Sequence, residues 1–431
     1  MSILIALIAL SVLIIIHELG HFTAAKAVGI KVLEFSLFMG PKLFSFRKGE
    51  TEYSLRLIPM GGFVKMEGEE ESSDDPRAFS NQPVGKRALV IGAGPALNII
   101  FAFIMIFIVM TQSGLITNKI TSLADNSPLK QIGVEAGDRI ISYDGKRLYD
   151  PASDLGIFMY AEDGSPKNIV YFDTSENRKV EKTISPGKTA SRIRLGFTAK
   201  VVDNVGSNII EMIEIDSPLE KAGVKRGDRI IMLDDTPVKN TEEIINYLNV
   251  TRTDKTAPVK VTVERNGTVM SFDNIQPFSD FQYTLGVSFE HKKGNIFDAL
   301  GGAFNYSIST IRNVLLSLGW LFNGTVSFRE LSGPVGIIGS VGTVVQAEQP
   351  VGVKLLNLTY FTSFLSINLG VMNLIPFPAL DGSHLIVLLI EKIRRKPIPQ
   401  EKVGLISMIG FVIMIFLLIG TLFNDIPRWL L

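Results

Sequence analysis

LIIIHELGHFTAA, residues 13–25, sets two histidines and a glutamate inside an apolar run that begins at Ser2. About 20 consecutive apolar residues make a membrane-spanning helix, so His17, Glu18 and His21 stand where hydrocarbon rejects them. A charged side chain at mid-bilayer costs roughly several kcal/mol unless it is paired or hydrated, and such residues mark functional sites. On a helix, residues four apart share a face, which aims both imidazoles at one point with Glu18 beside it. His-Glu-x-x-His is a pattern by which two histidines hold zinc while the glutamate serves as general base. The other reading is a polar patch packed between helices. Against it, the chain has only four histidines and two of them fall here.

The remaining composition narrows the class. Of 431 residues 46% are hydrophobic, concentrated in blocks, which indicates a membrane protein with water-soluble insertions. Forty-three basic side chains balance 43 acidic ones, so no electrostatic footprint for nucleic acid exists and no nucleic-acid partner is expected. With no cysteine, disulfides and thiolate metal ligands are excluded.

Four apolar blocks are expected to span: residues 1–25, 94–114, 355–390 and 403–431, the third broken by Pro376 and Pro378. A cleaved signal peptide is not expected, because the first run lacks a basic n-region and a small-x-small site. Lysines and arginines crowd 26–93 and 391–402, which the positive-inside rule places in the cytoplasm. Both termini and the long insertion then lie outside. Residues 291–354 read as amphipathic surface helices, since Asn305, Arg312 and Asn313 interrupt an otherwise apolar helical pattern.

The insertion repeats itself. SPLKQIGVEAGDRIISYDGKRL from Ser127 and SPLEKAGVKRGDRIIMLDDTPV from Ser217 match at 11 of 22 positions, which predicts two copies of one small domain at 115–198 and 199–290. These segments resemble PDZ domains of bacterial proteases, with RLGF at 194–197 similar to a carboxylate-binding loop. That resemblance implies binding of peptide C-termini by strand addition; two spacers without a ligand are the alternative. Within 26–93, YSLRLI alternates apolar and polar residues ahead of Pro59 and GGFVKM follows, so a membrane-associated β-hairpin is expected. Tyr53, Leu55, Gly61 and Gly62 on it are candidate substrate-binding residues.

A third ligand is needed beside the histidines, and NLIPFPALDGSH at 373–384 offers Asp381, with His384 as a rival. HELGH in a first span, NxxPxPxLDG in a late one and a duplicated PDZ-like segment between them resemble the site-2 protease family of intramembrane zinc metalloproteases. The likeness covers essentially the whole chain, including IPMGGFVKM, GPALN at 94–98, LSGPVGI at 331–337 and FND at 423–425.

The resemblance implies a multi-pass α-helical membrane protein of about four spans, with the β-hairpin and two tandem PDZ domains. It implies one catalytic zinc ion on His17, His21 and Asp381, Glu18 as general base, and Asn373, Pro376 and Pro378 as substrate-binding residues. LDGSH stands where LDGGH is expected, which leaves the ligand set intact. Also implied are a bacterial inner-membrane location with periplasmic PDZ domains, contact with membrane lipid, and single-pass substrates already shortened by another protease. Anti-sigma factors of an envelope stress response and remnant signal peptides are of that kind. Asn368 and Ser366 could line a hydrated cavity or form hydrogen bonds between helices.

Overall fold

The structure, a computed structural model, describes residues 2–429 apart from 70, 72, 190, 191, 203, 204, 215, 329 and 330. Ten helices are labelled here: α1 (Ser2–Ala27), α2 (Val84–Ser113), α3 (Pro151–Tyr160), α4 (Pro218–Ala222), α5 (Thr241–Asn246), α6 (Ile296–Asn323), α7 (Pro334–Gln346), α8 (Val351–Leu374), α9 (Asp381–Arg394) and α10 (Gln400–Trp429). Four of them contain stretches long and apolar enough to cross a membrane: Ile3–Ala27, Val84–Ser113, Val351–Leu374 and Glu401–Phe423.

The third expected span, 355–390, consists of two helices. Helix α8 stops at Leu374 and a new helix, α9, starts at Asp381. Pro376 and Pro378 remove two backbone donors and restrict the residues before them, so the chain crosses 375–380 without helical bonds. The turn is tight. A Cβ on Gly382 would lie 2.3 Å from the Ile375 carbonyl oxygen, and one on Gly410 of α10 would lie 2.3 Å from Pro378. Asp381 is therefore the first residue of a helix, held against the end of the preceding one.

After α1 the chain forms β1 (Val32–Lys48) and β2 (Thr51–Met66). The pair folds on itself. Phe35 lies opposite both Tyr53 and Val64, and Leu37 opposite both Leu55 and Gly62. Residues 34–37 thus run between 52–55 and 62–65, while 42–48 pairs with the far side of 51–56. The segment 62–66 is one edge of this sheet and 42–48 is the other. At its far end Met39, Leu43, Phe44, Phe46, Leu57 and Ile58 are exposed, an apolar surface that suits lipid better than water. Ser11 on α1 donates to the Pro59 carbonyl at 2.9 Å and anchors the reversal to the first span.

The insertion contains two sheets of one strand order. In the second, Phe197–Val202 leads to Val205–Ile213, Arg229–Leu233, Val259–Arg265 and Thr268–Ile275. In the first, the corresponding edge strand is Val287–Lys292, followed by Leu115–Leu123, Arg139–Tyr143, Lys167–Asp173 and Arg178–Ile184. The first unit therefore takes its edge strand from beyond the second, which is nested inside it. This corrects the linear division at 198 and 290: residues 197–198 begin the second sheet and 287–292 complete the first. Two short ladders, Gly187–Lys188 with Tyr283–Thr284 and Arg192–Arg194 with Phe278–Asp280, pair the outgoing chain with the returning one. Each unit has its own core. Leu285 packs with Ile120, Leu129 and Ile140 in the first, and Leu195 with Ile210, Leu219 and Ile230 in the second.

Helix α6 joins the first unit to the spans. One face packs Ala303, Tyr306 and Val314 against Ala102, Ile106 and Val109 of α2 and Ile367 and Val371 of α8. Arg312, whose charge suggested a surface helix, pairs with fully buried Asp154 of α3 at 2.5 Å, and Ser309 donates to the same carboxylate. These polar side chains of α6 meet protein.

Candidate active site

Helix α1 carries His17 and His21 one turn apart, and the α8–α9 break carries Asp381 to the same place. His17 Nε2 lies 3.1 Å from Asp381 Oδ2, His21 Nε2 lies 3.4 Å from it, and the two Nε2 atoms are 3.1 Å apart. Donor atoms on a tetrahedral ion with bonds of about 2.1 Å are separated by roughly 3.4 Å, so this triangle has the size of a metal site. Two further observations fit an ion. Asp381 Oδ2 is buried and makes no hydrogen bond of acceptable direction among the described residues, although both imidazoles are near. His21 Nδ1 is 2.9 Å from the Val90 carbonyl oxygen; a carbonyl only accepts, so Nδ1 carries the proton and Nε2 is left with its lone pair facing the triangle. Two neutral imidazoles and one carboxylate suit a divalent cation, and nitrogen and oxygen donors without thiolate suit zinc. Among the described residues His17, His21 and Asp381 form the one such cluster, and His384 is not in it.

Close helix packing makes the cluster possible. A Cβ on Gly20 of α1 would lie 2.3 Å from the Ala93 carbonyl oxygen, and one on Gly94 of α2 would lie 2.4 Å from His21 Nε2. Only glycine at both positions lets α2 approach so near the imidazoles. Asn98, one turn beyond Gly94, reaches His17 Nδ1 at 3.3 Å. Val90, Gly94 and Asn98 thus line one face of α2 against the two histidines. Their spacing of four residues was visible in the sequence around GPALN, but nothing there said which helix they would meet.

Glu18 is half-buried beside the free edge of the β sheet. The Val64 backbone N–H donates to its carboxylate, and a Cβ on Gly62 would lie 3.8 Å from Glu18 Cγ. Gly62 of the candidate substrate residues thus lies beside the general-base candidate, with Gly61 at φ +76°, in the left-handed region, just before it. Leu55 lies on a strand flanked on both sides. The Tyr53 ring packs against Phe22, Phe35 and Phe46, which gives it a structural role in tying the sheet to α1. Asn373 is half-buried at the end of α8 and makes no side-chain hydrogen bond among the described residues. Ser366 donates to the Asn98 carbonyl at 2.8 Å and Asn368 to the Phe364 carbonyl at 2.8 Å, so neither is held open toward a cavity.

The sequence model of Peptidase family M50 matches residues 5–417. The zinc metalloprotease RasP of Geobacillus kaustophilus is 28% identical over 461 residues, covering 100% of this chain and 99% of its own. The regulator of sigma E protease of Haemophilus influenzae is 30% identical, covering 98% of each chain. The regulator of sigma-E protease RseP of Escherichia coli is 28% identical, covering 98% of this chain and 97% of its own. A crystal structure of the HtrA3 PDZ domain bound to a phage-derived ligand is 19% identical over 22% of this chain and 92% of its own, with a TM-score of 0.18.

Proposed function

Since the chain belongs to peptidase family M50, the site-2 protease family, and is a zinc metalloprotease, we propose that it hydrolyses a peptide bond in or near the transmembrane segment of single-pass membrane proteins. In this reading His17, His21 and Asp381 hold the zinc ion. Zinc held there supplies a Lewis acid that lowers the pKa of a water toward roughly 7 and polarises a carbonyl. Glu18 accepts the proton of the attacking water and delivers it to the leaving amine. The Val64 N–H keeps the Glu18 carboxylate oriented, and the Asn373 amide, free of other partners among the described residues, donates to the carbonyl oxygen of the bond being cut.

A helical substrate hides its backbone, so a bond inside a span must first be unwound. The edge strand 62–66 lies beside Glu18, and an extended segment adds to it as a further strand through backbone groups other than the Val64 and Met66 N–H, which Glu18 and Glu69 hold. Gly62 keeps that edge free of side-chain bulk. The exposed apolar end of the sheet holds it in the bilayer. The orientation that follows from the basic loops puts the nested insertion outside, where two PDZ-like units restrict entry to substrates already shortened by another protease, or hold their new C-termini. Anti-sigma factors and remnant signal peptides are the substrate class, and a bacterial inner membrane is the setting.

The observation that carries this reading is the convergence of three ligand-type atoms within 3.4 Å of one another beside a glutamate on the same helix. The test is cleavage of a truncated single-span reporter by the purified protein in detergent, native beside Glu18→Gln, with zinc measured on both. Zinc on both and cleavage by the native protein alone is expected; cleavage by Glu18→Gln at the native rate overturns the role of Glu18, and absence of zinc from the native protein overturns the site.

A further inference from the structure

We propose that Asn98 is a positioning residue that fixes the tautomer and ring orientation of His17 by accepting a hydrogen bond from its Nδ1. This rests on the zinc-site reading above and extends it to a residue outside the ligand set.

His21 has an unambiguous acceptor in the Val90 carbonyl oxygen. His17 presents the same face to α2, and its Nδ1 meets the Asn98 amide through Nδ2 at 3.3 Å. With Nε2 offering its lone pair to the metal, Nδ1 must carry the proton, and two donors would then face each other. Asn98 is fully buried and its Oδ1 has no hydrogen-bond partner among the described residues. The oxygen and nitrogen of an amide exchange places on a half-turn about the last side-chain bond, and their assignment follows the hydrogen-bond network. That half-turn brings Oδ1 to the Nδ1 proton. It replaces a donor–donor contact, which costs free energy, with a hydrogen bond, and moves Nδ2 to the place that Oδ1 now holds. Both histidines are then oriented from one helix, by acceptors two turns apart, with their Nε2 atoms free for the ion.

The competing role is packing, because Asn98 sits where three helices meet. Its carbonyl accepts from Ser366 on α8, and a Cβ on Gly370 would lie 3.4 Å from its own Cβ. The test therefore separates volume from acceptor. Zinc affinity of the full chain in detergent is measured by competition with a chelator, and the cobalt(II) absorption spectrum is recorded, for native protein, Asn98→Asp, Asn98→Leu and Ser366→Ala. Loss of an orienting partner weakens metal binding by roughly 10–100-fold. That loss is expected in Asn98→Leu, together with a changed cobalt spectrum. Asn98→Asp, which keeps an acceptor at the same place, is expected to hold zinc as well as native protein or better. Ser366→Ala should bind as native. If Asn98→Leu does not accumulate, Asn98→Ala replaces it in the comparison.

Native affinity in the variant lacking the acceptor overturns the proposal, as does equal loss in Asn98→Asp, or in Ser366→Ala, which removes the bond to the Asn98 backbone carbonyl and leaves the Asn98 amide in place. If the native chain itself binds no zinc, the site reading fails, and the proposal falls with it.

Discussion

Gly94 on α2 lies so close to His21 on α1 that a single added methyl group would sit 2.4 Å from His21 Nε2 and 2.9 Å from His17 Cε1. No rotamer change of the alanine methyl relieves this, because a Cβ has no torsion of its own. Gly94→Ala is therefore expected to push the imidazoles away from Asp381 or to part α1 from α2. Overpacking of this kind costs about 1–3 kcal/mol. The purified variant should retain its helices by circular dichroism while its zinc content falls well below one ion per chain. Full zinc occupancy in Gly94→Ala would show that the helices separate more easily than their contacts suggest.

The nesting of the two insertion units predicts which deletions leave a folded protein. Removing 199–290 takes Val287–Glu290, most of the edge strand, from the first sheet and Leu285 from its core, leaving most of Leu115–Leu123 as a bare edge and Ile120 uncovered. Removing 193–280 instead keeps both, and the ladder of Gly187 with Thr284 and Lys188 with Tyr283 shows that the two cut ends already lie side by side. The first deletion should make the remaining insertion sensitive to protease in detergent. The second, closed by a short glycine linker, should leave a resistant first unit. Equal resistance in both would mean that the edge strand adds little to that unit.

How much of this was legible in the sequence follows from where each signal resides. The candidate ligand pair His17 and His21 is local, fixed by helical periodicity, and Asp381 stands out as a carboxylate among apolar residues beyond two prolines. Spans were legible for the same reason, since length and hydropathy are local properties. What escaped was relational. The repeat at Ser127 and Ser217 located two domains, but nothing in their spacing shows that residues 287–292 return to the first sheet, because strand pairing over 170 residues leaves no local trace. The edge at 62–66 was hidden likewise: alternation in 53–58 marks that strand, yet the segment beside Glu18 is 62–66, which pairs with 34–37. Arg312 suggested water and found Asp154. Charge in an amphipathic helix indicates a polar environment without saying whether solvent or protein supplies it.

Asp150 makes the first unit's stability depend on pH. It precedes α3, and burial together with the charge of Asp154 four residues on raises its carboxyl pKa from 3.8 to about 6. Asp154 keeps its place through the backbone N–H groups of Tyr149 and Asp150, at 2.7 and 3.1 Å, and through Arg312, so its charge is fixed where Asp150 meets it. A carboxyl group whose pKa is higher in the folded than in the unfolded chain favours folding while it is protonated. The contribution is full below about pH 4 and is lost as pH rises through 6. By pH 8 the ionised Asp150 costs on the order of 3 kcal/mol relative to a neutral group in its place. Asp150→Asn should therefore raise the unfolding temperature of the full chain in detergent at pH 8 and leave it nearly unchanged at about pH 3.5, with the two curves parting between about pH 4 and 6. Curves that stay parallel across that range would mean that Asp150 is solvated in the native protein, and would move the origin of any pH dependence elsewhere.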